Sequence, residues 1–302
     1  MHMIEDNKLG VIYTTGAYIL WGFLPIYWKI IQHISPFEIL AHRIVWSAVF
    51  MAVVILLLRK HKQLAAEIKQ LFQNKRNLIG ITLASIMISA NWFTYIWGVN
   101  NNHVIETSLG YYINPLVSIL LGMIVLKETF SRVQWVAFFL AGSGVLYMTL
   151  HFGSVPWIAL MLAFSFGLYG LLKKLVPLNA MFGLMIETLI VSPVALLYLA
   201  NVEGSWGNME WFSWTTVFVL GSGIATAIPL LLFAAGAKRI PLSMVGFLQY
   251  FAPTIMLILG VFLYNEPFTD VHAVSFTLIW SGLAVYTYSR IKRMRKYEKI
   301  AS

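Results

Sequence analysis

The chain has 302 residues, 59% of them hydrophobic and 11% charged, with a formal net charge of +9 and no cysteine. Soluble domains carry about 25% charged residues, so lipid must solvate much of this chain. Disulfides and thiolate metal sites are excluded. The basic residues sit in short tracts between apolar runs, the positive-inside pattern of membrane proteins rather than a nucleic-acid-binding face.

A membrane helix needs about 20 mostly apolar residues. Ten such spans are predicted, at roughly 10–31, 37–58, 78–98, 104–126, 133–150, 155–172, 179–200, 212–235, 241–264 and 271–290. The first apolar run, Leu9 to Ile31, is too long for a signal-peptide core and has no small-x-small cleavage site after it, so it is expected to remain as a span. Pro25 interrupts it. In the second span, Glu38 and His42 lie four apart on one face, and Arg43 lies about 10 Å deep at about 1.5 Å per residue. A charge turned toward lipid at such depth costs at least ~2.5 kcal/mol, so Arg43 is expected to face the bundle interior and be paired, with Glu187 and Glu106 the candidate partners. Between the second and third spans, Leu64, Ile68, Leu71 and Phe72 recur at helical spacing among lysines and glutamines. This predicts an amphipathic helix, either on the anionic inner leaflet or solvated as a loop helix.

The third span presents Asn91 and Tyr95 four apart, with Trp92 beside them, and the fourth presents Glu106, Gly110 and Asn114 along one stripe. A ring of Asn, Tyr, Trp and Phe around a charged pair suits a flat, mostly apolar solute with a few polar groups. Trp28, Trp97, Trp211 and Trp214 are expected to anchor at the outer interface, where tryptophan is enriched, unlike the deeper Trp92 and Tyr250. Glu187 lies near the middle of the seventh span and is the candidate proton-coupling carboxylate. Pro229 breaks the eighth span. Pro115 and Pro253 sit about half way through the fourth and ninth, freeing the carbonyls of Tyr111 and Gln249 four residues earlier. Freed carbonyls in a membrane need protein or a water-filled cavity to satisfy them, so a substrate cavity and a filled kink are the two readings. Gly142-Ser143-Gly144 and Gly221-Ser222-Gly223 read as close helix packing.

Ten crossings place nineteen of the 21 lysines and arginines on one side, and the five opposite loops contain none, so both termini are predicted cytoplasmic. The chain also repeats itself. Tyr112, Pro115, Gly122, Glu128, Phe130 and Gly144 recur 138 residues later as Tyr250, Pro253, Gly260, Glu266, Phe268 and Gly282. Earlier in each half the offset is 145, pairing Gly22 with Gly167, Lys29 with Lys174, Ser47 with Ser192 and Pro25 with Gly170. Five spans per half is an odd number, so the two units must be inverted relative to one another. Inverted repeats with broken helices place a site near the bilayer midplane that can open to either side.

The strings AYILWGFLPIYWK (17–29), PFEILAHRIVWS (36–47), NWFTYIWGVNN (91–101), ETSLGYYINPL (106–116), LAFSFGLYGLLKK (162–174), MIET (185–188) and GFLQYFAPT (246–254) resemble the RarD type of EamA transporter, in the drug/metabolite transporter superfamily. The resemblance covers about residues 8–290. It implies an all-α polytopic protein of the cell (inner) membrane, with ten transmembrane helices in two inverted five-helix EamA repeats at 8–150 and 154–290, a basic cytoplasmic tail at 291–302, and a central cavity. The motif-borne residues are Trp21, Glu38, His42, Arg43, Asn91, Trp92, Glu106, Tyr111, Asn114, Glu187, Gln249 and Tyr250.

The expected function is secondary transport of small organic metabolites or drugs by alternating access. The expected partners are a small-molecule substrate and the bilayer, with no nucleic acid and no cofactor. No P-loop signature is present, so a proton or solute gradient is expected to supply the energy. A non-transporting receptor or partner subunit is the alternative. A membrane-embedded enzyme is disfavoured, because HExxH, GxSxG and dense His/Asp/Glu clusters are missing from the sequence.

Overall fold

The computed structural model describes residues 2–126, 132–202, 213–237, 239–240 and 248–301. Lys127, Glu128, Phe130, Trp211 and Lys238 lie outside the described residues. All regular structure among the described residues is helical: α1 (His2–Ile30), α2 (Pro36–Leu57), α3 (His61–Gln73), α4 (Lys75–Asn100), α5 (Val104–Leu126), α6 (Arg132–Phe152), α7 (Trp157–Leu175), α8 (Ala180–Asn201), α9 (Trp214–Ala237), α10 (Phe251–Ile258) and α11 (Asp270–Ala301). A π-helical turn, Leu259–Leu263, extends α10. Helices α1, α2, α4, α5, α6, α8 and α9 each hold a stretch long and apolar enough to cross a membrane, with mean hydropathy of 1.3 to 2.1, whereas α7 and α10 with its extension are shorter apolar helices. The chain is a polytopic all-α membrane protein.

Local sequence sets several helix starts. Ser35 precedes Pro36 and accepts a hydrogen bond from the Glu38 N–H at 3.2 Å, satisfying a donor that the first turn leaves free. Asn74 and Asn179 cap α4 and α8 in the same way. The amphipathic helix α3 forms where its spacing predicts, and part of its apolar face packs on the helix bundle. Leu71 is buried against Ile81, Ala84, Val176 and Ile186, with Leu64 and Ile68 packed onto that cluster. Only Phe72, 69% exposed, points outward from it.

The prolines occupy unlike settings. Pro25, Pro115 and Pro229 lie inside continuous helices, as does Pro193, which the sequence reading did not single out. Pro253 differs. Leu248 is helical, Gln249 and Tyr250 form a turn, and α10 begins at Phe251, so this proline stands in a first turn, where a missing N–H leaves no bond unmade. The helical interruption expected at this proline lies just before it, at 249–250.

Packing between the halves follows a two-fold pattern. Helix α4 packs on α7 as α9 packs on α1, α5 on α7 as α10 on α1, and α2 on α9 as α8 on α4. Each of α2, α5 and α6 also packs on its own counterpart, α8, α10 and α11. Close approaches at glycine obey the same exchange. A methyl group on Gly22 would stand 2.8 Å from Ile255 of α10, and one on Gly167 would stand 3.0 Å from Val117, the position in α5 that corresponds to Ile255. On Gly144 it would meet the Ser275 carbonyl oxygen at 2.7 Å, and on Gly282 the Ala137 carbonyl oxygen at 2.6 Å. Gly144 thus faces 275–279 while its counterpart Gly282 faces 137–141. Parallel helices related by a two-fold would pair each residue with its own equivalent, so this reciprocal crossing is that of antiparallel helices. Tyr112 and its counterpart Tyr250 also stack on each other, with ring centroids 6.2 Å apart and planes 17° apart.

Backbone contact this close tolerates no side chain. Gly144→Leu and Gly282→Leu are each expected to destabilise the fold by about 3 kcal/mol through overpacking. Gly142→Leu, where nothing lies within 4 Å, should be neutral. Melting curves in detergent check all three.

Candidate functional site

Helix α2, capped at Ser35, buries Ile39, His42, Arg43 and Ser47 against its neighbours. Arg43 is 3% exposed. Its Nε donates to Thr226 Oγ1 of α9 at 2.8 Å, and its guanidinium carbon lies 4.3 Å from the Trp92 ring and 5.1 Å from the Trp28 ring. Desolvated cation–π contacts are worth about 2 kcal/mol each, which offsets part of the several kcal/mol that burying a guanidinium costs. No carboxylate among the described residues lies within ion-pair distance of Arg43. The expected pairing with Glu187 or Glu106 is therefore not made.

Trp28 is a second departure from expectation. It is fully buried beside Arg43 rather than anchored at the interface. The signal was present in the sequence: Trp28 follows Leu24 by four residues and Trp21 by seven, on one helical face. Trp97 packs on His103 and Trp157, and Trp214, 79% exposed, suits an interfacial anchor. Thr226 carried no sequence signal of its own.

Around Arg43 the third and fourth predicted spans, now α4 and α5, supply an aromatic wall. Asn91, 1% exposed, donates through Nδ2 to the Leu162 carbonyl and to Ser165 Oγ, both at 3.0 Å, which ties α4 to α7. Its Oδ1 accepts from the Tyr111 hydroxyl at a long 3.4 Å. Tyr111 packs edge-on against Tyr95, centroids 5.8 Å apart, and against Phe166. Tyr27 turns its hydroxyl away to the Phe218 carbonyl. Helices α1, α2, α4, α5 and α9 thus bring Trp28, Arg43, Trp92, Tyr95, Tyr111 and Thr226 to one place, with Asn91 holding Tyr111.

The carboxylates go elsewhere, each for a local reason. Glu187, 2% exposed, accepts from Lys173 Nζ at 2.6 Å and from the Tyr169 hydroxyl at 3.1 Å, both of α7. Glu106 accepts from the Ile158 N–H at 3.0 Å at the start of α7, with His103 Nδ1 at 3.6 Å. The N-terminal turn of a helix offers unpaired N–H groups and a positive dipole end, both favourable to a carboxylate. Glu38 lies 3.9 Å from His42 Nε2 across one turn. Glu266, from the repeat signature, accepts from the Val104 and Ile105 N–H groups at 2.7 and 2.8 Å and so caps α5. Glu266→Ala should cost about 2 kcal/mol through loss of this cap, measurable as a lower melting temperature.

The remaining candidates stand apart from Arg43. Tyr250 stacks on Tyr112 rather than lining the guanidinium, and Gln249 adjoins it in the turn before α10. The Tyr112 hydroxyl shares a 2.6 Å hydrogen bond with Thr254, and its ring packs on Phe276 and Trp280 of α11. The Asn114 Oδ1 accepts from Ser118 at 3.4 Å. At Pro253 the carbonyl is satisfied by the Ser108 hydroxyl at 2.7 Å.

Comparison with known proteins agrees with this architecture. The EamA-like transporter family model matches residues 8–150 and 154–288. The chain is 48% identical to "Uncharacterized transporter YojE" of Bacillus subtilis over 96% of its own length and 97% of that protein's. It is 41% identical to "Protein RarD" of Escherichia coli, covering 98% and 99% of the two chains. A more distant relative, 25% identical, is the "Chloramphenicol-sensitive protein RarD" of Pseudomonas aeruginosa, matched over 95% and 96%. Among solved structures, one titled "Crystal structure of protein" shares the fold at a TM-score of 0.57 and 16% identity, over 91% of this chain and 96% of that one.

Proposed function

The chain belongs to the EamA-like transporter family, and from that premise we propose that it is a secondary permease or exporter of small organic metabolites or drugs, working by alternating access. Two units, 8–150 and 154–290, rock around a shared site deep in the cell membrane, and both termini face the cytoplasm. The substrate binds against Arg43, Trp28, Trp92, Tyr95 and Tyr111. A proton or solute gradient drives the cycle, and Glu187 is the carboxylate best buried to respond to protons. The reading is that of a carrier and not of an enzyme.

The observation that supports it most is the buried Arg43, held by aromatic rings of the first half and a threonine of the second. A guanidinium that both halves touch feels their relative movement, as a carrier's binding residue must.

Because the chain has no cysteine, single-cysteine variants need no background engineering. Tyr111→Cys is expected to react with a membrane-impermeant maleimide in right-side-out vesicles and also in inside-out vesicles. Reaction from one side only, or from neither, would overturn alternating access and favour a non-transporting subunit.

A further inference from the structure

Arg43 donates to the neutral Thr226 hydroxyl and has no acceptor of opposite charge among the described residues. Its Nη1, the Tyr95 hydroxyl and the Trp28 Nε1 are buried atoms without a hydrogen-bond partner among the described residues. All three belong to side chains exposed by 8% or less, on three different helices. Trp28 lies against the guanidinium, and Tyr95 lies within its electrostatic reach. A guanidinium and an indole can only donate, and a phenol donates readily. Buried polar groups are ordinarily paired, so three unpaired donors on side chains gathered at one buried cation point to an acceptor with negative charge.

Resting on the transport reading above, we propose that the substrate is an aromatic or other flat apolar carboxylate, whose carboxylate docks on Arg43, Tyr95 and Trp28. The ring of such a molecule lies along Trp92 and Tyr111. One cation balances one negative charge, so a monoanionic carboxylate fits better than a phosphate monoester, which carries close to two charges at neutral pH. A neutral amide of the same shape presents N–H groups to donors and leaves the guanidinium uncompensated. An amine places a second cation beside the first.

The test uses the full chain in lipid nanodiscs and four matched compound sets, each at one concentration: arylacetic and arylpropionic acids, their primary amides, the corresponding amines, and aryl phosphates. Melting temperature reports binding, because a ligand that favours the folded state raises it. The acid set is expected to yield the stabilising compounds, with affinity at least about tenfold above the matched amides. Arg43→Gln is expected to remove that difference, and Arg43→Lys to retain part of it. The proposal is overturned if no acid stabilises the protein, if amides, amines or phosphates match the acids, or if acids bind Arg43→Gln as well as the native chain. Uptake into proteoliposomes separates this from the transport reading. An acid that binds through Arg43 but never crosses would defeat transport alone, whereas a neutral compound carried equally well by Arg43→Gln would defeat the carboxylate assignment alone.

Discussion

Arg43→Met is expected to abolish transport without lowering the melting temperature. The two halves of this prediction come from the same geometry. In transport, a charged hydrogen bond from the guanidinium to substrate is worth about 1.5 to 3 kcal/mol, so its loss weakens the bound state by up to roughly a hundredfold. In stability, Arg43 has no counter-ion among the described residues, and its burial costs several kcal/mol that the contacts with Trp28 and Trp92 only partly offset. Methionine fills much the same volume between the two indoles and carries no charge to desolvate. Thr226 is not orphaned by the change, because its hydroxyl also donates to the Ser222 carbonyl at 2.9 Å. A structural arginine would behave in the opposite way, with a lower melting temperature and flux preserved in whatever protein still folds. Melting curves and uptake measured on one preparation distinguish the two.

Lys173→Met is expected to lower stability as much as either of the glycine substitutions in α6 and α11. It leaves Glu187, 2% exposed, with only the Tyr169 hydroxyl as a donor among the described residues. Removing one partner of a buried ion pair costs about 3 kcal/mol, because the surviving charge stays buried without compensation. Removing both is different. Lys173→Met combined with Glu187→Leu replaces the pair by apolar groups and should recover most of the loss, since such exchanges are often neutral. The double-mutant cycle read from melting curves therefore gives a strongly non-additive result. Additive losses would mean that the 2.6 Å contact contributes little in the membrane. Uptake by Glu187→Gln then isolates the coupling role, for the amide keeps its shape and the Tyr169 contact while losing the charge.

Much of the fold was legible from one-dimensional pattern. Apolar run length gave the helices, and the recurrence of Tyr112, Gly144 and their partners gave the two-fold exchange. Gly144 and Gly282 could be paired from spacing alone, and they meet opposite helices at equivalent places. Partner choice was less legible. Arg43 and Glu187 both looked like buried charges seeking each other, yet the rotation of α8 about its axis gives Glu187 to Lys173 of α7. Nothing in the composition of either helix fixes that rotation. Glu106 could not be read as a cap for α7 because its donor partner, the Ile158 N–H, is 52 residues further along the chain. Pro253 signalled an interruption but not its form. Proline within an apolar run signals a kink or a helix start equally, and only the backbone before it decides. Trp28 was readable in retrospect from its face, but interfacial enrichment of tryptophan pointed the other way.

The central claim is that two inverted halves move against each other about the site at Arg43. Distances between paired spin labels in lipid test it directly. One pair at Asn101 and Asn201 reports the outer ends of α4 and α8, and another at Arg59 and Leu175 reports the opposite side, all four positions being exposed. The account predicts two populations for each pair, with conditions that shorten the outer distance lengthening the inner one. A single narrow distance for both pairs, or distances that shorten and lengthen together, would contradict it.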